Sequence, residues 1–220
     1  MSKHRLLFAK TGRAIYISHL DLMRTFQRAF LRAGLHLRHS EGFNPHPIMA
    51  FALPLSVGTT SVCELLDFDL LSEPMPEDVV SRLNAALPEG VSVLQAYDSS
   101  RKFAEIKWVC VSARLEYDKG LPKDVMARLR AFFAREEVIV PKKTKKGMTD
   151  FNITPCIGAF DIRSQSDCEL IFEARLSAQN PTLNPALLIQ ALEIHESELA
   201  PDFAAFTRLE LLDVELQTFR

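Results

Sequence analysis

Apolar residues along this chain change their spacing repeatedly, from the every-second-residue alternation of a strand to the three-and-four spacing of a helix and back. They do so in the same order twice. The two periods exclude each other locally, because side chains alternate faces along a strand and return every 3.6 residues on a helix. In the first pass, Arg5 to Lys10 reads as a strand, followed by a Thr11-Gly12-Arg13 turn and a short extended piece over 14–18. Ser18 then stands as an N-cap with Asp21 three residues on, and Gly34 is placed to stop the helix in a left-handed conformation. The apolar stripe of that helix is read as Leu20, Met23, Phe26 or Gln27, Phe30 and Ala33. Strand-like pieces follow at 35–40, 48–55 and 61–71. Pro76 opens a helix carrying Val79, Val80, Leu83 and Leu87, and Pro88-Glu89-Gly90 ends it before a strand at 91–97.

The second pass begins with a strand over Ile106 to Tyr117, then a helix opened by Pro122 with Val125, Leu129, Phe132 and Phe133 on its apolar face. Val138 to Val140 and Phe151 to Ile162 read as strands paired around a basic loop. Cys168, Leu170, Phe172, Ala174 and Leu176 line one face of the next strand, with Glu169, Glu173 and Arg175 opposite. Asn184 and Pro185 form an N-cap and N1 pair for a helix with Leu188, Ala191, Leu192 and His195, and Leu209 to Leu216 is a closing strand. Each pass has the order of the βαββαβ ferredoxin-like unit. The polar segment DSSRKFAE falls between them. The expected fold class is therefore α+β, two tandem ferredoxin-like units with antiparallel sheets, residues 1–100 and 101–220. The repetition is of element order and not of residues.

A chain of 220 residues that is 47% hydrophobic suffices for two small cores. No stretch reaches the roughly 20 apolar residues of a membrane span, and the first residues show no apolar run behind a basic tip. The expected setting is cytoplasmic, with no membrane partner. Cys63, Cys110, Cys156 and Cys168 are widely spaced with no CxxC pair, so each reads as a small apolar strand residue and neither a metal site nor another cofactor is expected. The closely spaced cysteine triplet of a radical SAM enzyme is likewise missing from the sequence, which leaves such chemistry to a separate protein.

The net charge of −2 is unevenly distributed. Residues 1–50 carry Lys3, Arg5, Lys10, Arg13, Arg24, Arg28, Arg32 and Arg38 against Asp21 and Glu41, a balance of +6 that leaves −8 for the rest. Five of the six histidines fall in the same fifty residues. Such asymmetry points to a surface that meets a polyanion.

Three segments are more polar and specific than a fold requires. In GRAIYISHLDLMRTFQRA, extended by Arg32, the arginines Arg24, Arg28 and Arg32 recur at one helix face with Arg13 just ahead, a spacing suited to successive phosphates; a solvated helix face is the plain alternative. In RHSEGFNPHPIMAFALPL, Pro45 and Pro47 stiffen a turn that holds Asn44 and His46 beside Phe43, an aromatic fit to stack on a base or to serve as core. In PKKTKKGMTDFNITP, Lys142, Lys143, Lys145 and Lys146 make a hairpin tip for unspecific phosphate contact or for solubility. His19 and His46 together would suit metal-independent RNA cleavage, histidine being the side chain that titrates near neutrality. Glu64, Asp67 and Asp69 are split between the two faces of a strand, which disfavours a metal site.

At FAKTGRAIYISHLDLMRTFQRAFLRAGL, at SEGFNPHPIMAFALPLSVG with CELLDF after it, and more loosely at KKTKKG ahead of DFNITP, the sequence resembles the bacterial radical-SAM-linked proteins. That family is found beside or fused to cobalamin-binding radical SAM enzymes. The resemblance implies a stand-alone partner of a radical SAM enzyme, and the family's frequent position near genes for an RNase G-type ribonuclease and ribosomal proteins implies work on RNA or ribosome assembly. It carries over no catalytic residues. The expectation is a non-catalytic RNA-binding accessory protein, with ribosomal or transfer RNA as partner. A His19/His46 endoribonuclease and a module docking on the radical SAM enzyme stand as alternatives.

Overall fold

Every residue of β1 (His4–Lys10) is buried, charged ones included. A strand so enclosed must lie between two neighbours, and β1 does. The computed structural model describes residues 4–72, 74–144 and 147–220, and the chain divides into two units, Met1–Glu105 with Arg220, and Ile106–Phe219.

In the first unit β1 is followed by α1 (His19–Arg32), β2 (Met49–Phe51), β3 (Thr60–Phe68), α2 (Val79–Ala86) and β4 (Val91–Asp98). All pairings are antiparallel, and the spatial order is β4-β1-β3-β2. Phe8, Phe26 and Phe51 meet edge to face, with centroids 4.8 to 5.8 Å apart, and Phe30 stacks tilted on Phe68 at 5.0 Å. The buried face of α1 is Leu22, Phe26, Ala29 and Phe30 rather than the stripe expected from Leu20. At about 100° per residue Leu20 lies about 200° from Leu22, on the outside of the helix, where it is 62% exposed.

The ends of α1 follow the sequence, whereas α2 begins three residues after Pro76. Ser18 Oγ accepts from Asp21 N at 3.2 Å and its hydroxyl donates to Asp21 Oδ2 at 2.7 Å, and Gly34 sits at φ +65°. The free C-terminal carbonyls are satisfied by exchange: Arg82 of α2 donates twice to Ala33 O, at 2.9 and 2.5 Å, while Arg32 of α1 donates to Ala86 O at 2.5 Å.

Three extended readings are corrected in this unit. Within 14–18 only Ile17 and Ser18 are extended: a 3₁₀ turn runs Gly12–Tyr16, and buried Lys10 donates from its ammonium to Ile15 O and Ile17 O at 3.2 and 2.7 Å. Burial pushes the Lys10 pKa down, with Glu64 acting against it. Residues 35–40 form only the isolated bridges Leu37 to Leu70 and His39 to Pro47, and ladder pairing over 48–55 shrinks to β2. Pro45, Pro47 and Pro54 lack the N–H a longer ladder requires.

In the second unit come β5 (Trp108–Glu116), α3 (Val125–Phe133), β6 (Ile139–Thr144), β7 (Gly147–Asn152), β8 (Ile157–Gln165), β9 (Glu169–Ser177), α4 (Ala186–His195) and β10 (Phe203–Leu212). The sheet order is β10-β5-β9-β8, again antiparallel. Phe160 stacks between Phe133 and Phe172 at 4.7 and 4.8 Å. With the β6–β7 hairpin set aside, both units place the first strand centrally, the last on one side of it, the third on the other and the second outermost.

Here too some boundaries move. The segment 151–162 is two strands, since a 3₁₀ turn at Thr154–Cys156 interrupts it; β7 closes a hairpin with β6, and β8 pairs with β9. The closing strand ends at Leu212 because Asp213 Oδ1 accepts from Glu215 N and Gln217 N, turning the chain. Of the cysteines, Cys63 and Cys110 lie in strands, Cys156 is buried in the 3₁₀ turn, and Cys168 is exposed just ahead of β9. Among the described residues no helix is long and apolar enough to cross a membrane, and no group of histidine, cysteine and carboxylate side chains is placed to hold a metal.

Candidate nucleic-acid interface

The chain between α1 and β2 folds into an arm. Arg38 N donates to Asp69 O, Ile48 N to Arg38 O, and Ser40 N to His46 O, all at 2.8 to 2.9 Å, so 36–40 and 46–48 run side by side. Its tip spans 41–45. Within it His46 Nδ1 lies 2.8 Å from Ser40 Oγ, which also accepts from His46 N. Phe43 is fully exposed at the tip, which removes it from any core, and Asn44 beside it is exposed as well.

Between the arm and α1 lies an open cleft of about 340 Å³. Gln27, Arg28 and Leu31 line it from the helix, and His36, His39 and Pro47 from the arm, over a floor that includes Phe30, Leu35 and Leu37. The basic helix and the proline-rich segment are thus brought together at Arg28 and Pro47. Their other members part company. Arg24 is paired with Asp21 at 3.1 Å, and Arg32 is spent on Ala86 O. Hydrogen bonds from Ser18 and Arg24 in turn hold the Asp21 carboxyl below its ordinary range. Arg13 and Arg28 are exposed with no partner among the described residues.

The remaining cations of the first fifty residues are mostly internal. Arg5 is fully buried and makes a two-point ion pair with Asp67, at 2.6 and 3.0 Å, with a further bond to Arg101 O. Arg38 pairs with Asp69 at 3.1 Å. A formal balance of +6 therefore overstates the charge offered to a ligand.

His19 and His46 are engaged separately. The His19 ring meets Phe51 edge to face at 5.4 Å, and His46 bonds within its own arm; no hydrogen bond or ring contact joins them among the described residues. In the second unit Lys142 is structural, its Nζ donating to Thr182 O at 2.8 Å and lying 4.0 Å over the Phe151 ring. Lys143 is exposed, and Lys145 and Lys146 lie outside the described residues. The groups that sequence reasoning passed over are Gln27, His36 and His39. Their signal was present in the crowding of histidines into the first fifty residues, but the cleft that orients them forms only by folding.

Residues 3–185 match the family described as "Uncharacterized protein conserved in bacteria (DUF2344)". The chain belongs to this family. No curated protein matches it. Among solved structures, one from a Cbf5-Nop10-Gar1 complex is similar to this DUF2344 chain at a TM-score of 0.54 and 8% identity, over 96% of this chain and 49% of that one. Another, from an archaeal box H/ACA sRNP Nop10-Cbf5 complex, has a TM-score of 0.48 and 10% identity, over 94% and 47%. The chain spans about half the length of these structures. At such identity the likeness is one of fold, a mixed α+β architecture with antiparallel strands.

Proposed function

We propose that the protein is a non-catalytic RNA-binding accessory protein that holds a ribosomal or transfer RNA for a separate radical SAM enzyme. The observation that carries this reading is the concave surface between α1 and the arm, where unpaired Arg28 faces His36 and His39 and a fully exposed Phe43 stands at the rim of the arm. Cations without counter-charges attract phosphate, and an aromatic ring in water offers a face to a base. The radical SAM part rests on the resemblance at 8–35 and 40–58 and on four cysteines too widely spaced to hold a cluster in this chain. Each unit is proposed to be ferredoxin-like; the shared order of strands, with the first central and the second outermost, supports this. The proposed division into units 1–100 and 101–220 follows the polar segment between them, whose last residue, Glu105, is where the first unit's main segment ends. Both belong to a cytoplasmic protein.

Filter retention of labelled ribosomal and transfer RNA at low salt tests the reading. Retention should fall steeply as salt rises and weaken in Arg13→Ala with Arg28→Ala. Absence of retention at low salt overturns it. A docking role on the radical SAM enzyme is favoured by the apolar residues flanking the arginines, Tyr16, Leu20 and Leu31, each more than 60% exposed. Nuclease-resistant co-purification, lost in Arg24→Glu with Arg28→Glu, would select that role.

A further inference from the structure

The cleft beside α1 is lined by groups whose hydrogen-bonding capacity is unspent. His39 Nδ1 lies 3.1 Å from Leu37 O, and a carbonyl only accepts, so Nδ1 carries the proton. In the neutral ring this leaves Nε2 as a bare acceptor. Gln27 supplies an amide that both donates and accepts, with no partner among the described residues, and Arg28 supplies an unpaired planar cation. Leu31 and Pro47 add apolar surface from opposite elements. A volume of about 340 Å³ lies at the small end of ligand sites, which run from about 300 to 1,000 Å³.

A flat, partly apolar group with a mixed donor and acceptor edge and one adjacent negative charge meets all of these features. We propose that the cleft receives a single unstacked base of RNA, its edge read by Gln27 and His39 and its phosphate held by Arg28. This rests on the RNA-binding reading and specifies the class of RNA: single-stranded or looped, because bases stacked in a duplex keep their edges from such a pocket. Phe43 at the arm tip would then stack on another unpaired base.

Fluorescence anisotropy with labelled oligouridine and oligoadenosine, against the duplex the two form, measures the preference. Single strands should bind about tenfold more tightly than duplex, and Gln27→Ala and His39→Ala should each weaken single-strand binding by roughly tenfold without changing its salt dependence. Both positions lie at the surface of the cleft, and near-ultraviolet and far-ultraviolet spectra check that the variants fold. Titration with UMP and AMP, followed by NMR, should shift the signals of Gln27, Leu31 and His39. If RNA binds but duplex and single strand compete equally and the two variants are silent, the base site is wrong while the RNA reading stands. If no RNA binds yet the mononucleotides shift those signals, the RNA reading fails and the base site survives. If neither occurs, both fall.

Discussion

Asp21 has three tasks at the start of α1: its backbone N–H meets Ser18, its carboxylate accepts from the Ser18 hydroxyl, and it neutralises Arg24. Asp21→Asn keeps the cap geometry and releases Arg24. RNA affinity should rise several-fold at low salt, with the slope of log K against log salt steepening by about 0.7; filter binding across a salt series reads both. Tyr117 illustrates titration in the other unit. Its hydroxyl donates to Leu199 O at 3.0 Å, and burial, with Asp202 adding, raises its pKa from 10.0 to about 12. A folded pKa above the unfolded one means stability fully present below pH 10 and lost as pH climbs towards 12. Tyr117→Phe should therefore cost about 1 kcal/mol at neutral pH and show a shallower alkaline decline than wild type, as measured by urea unfolding at each pH.

At the scale of elements, the exchange of arginines between α1 and α2 ties two helix ends together. Gly34 permits it, since φ is +65° and a Cβ built there would come within 3.1 Å of Arg82 Nη2, the group bonded to Ala33 O. Gly34→Ala should lower stability by about 1 to 2 kcal/mol, through strain and through displacement of that guanidinium, seen as a lower thermal midpoint. The ends of α1 were legible because caps are local: Ser18, Asp21 and Gly34 act within a turn of themselves. The arm was not. Its residues alternate in hydrophobicity as a strand would, Leu35 and Leu37 against His36 and Arg38, but its backbone partners lie on Asp69 and Leu71, and its prolines stop a ladder from forming. Likewise Lys142 reads as a loose loop cation from its neighbours, and only the approach of Thr182 and Phe151 makes it structural.

Over the whole molecule, charge that looks available in a sequence divides into charge that folds the protein and charge that meets a ligand. Of the eight cations in the first fifty residues, Arg5, Lys10, Arg32 and Arg38 are committed to internal partners and Arg24 to Asp21. If the first unit meets single-stranded RNA through Arg13 and Arg28, with Arg24 held by Asp21, its contribution to the salt slope is about −1.4, where eight engaged cations would give about −6. A measured loss of about 0.7 in slope for Arg13→Ala and for Arg28→Ala, with no change for Arg38→Ala, is the expected pattern; a change for Arg38→Ala of the same size would refute this partition. What the sequence determined by itself is the α+β class, the order of helices and main strands, the caps of α1 and the concentration of basic residues, because each depends on side-chain period or on contacts a few residues apart. Tertiary structure alone decided which of those cations remain free and that Gln27, Arg28, His36 and His39 share one cleft, because these depend on distances between residues that the chain order leaves open.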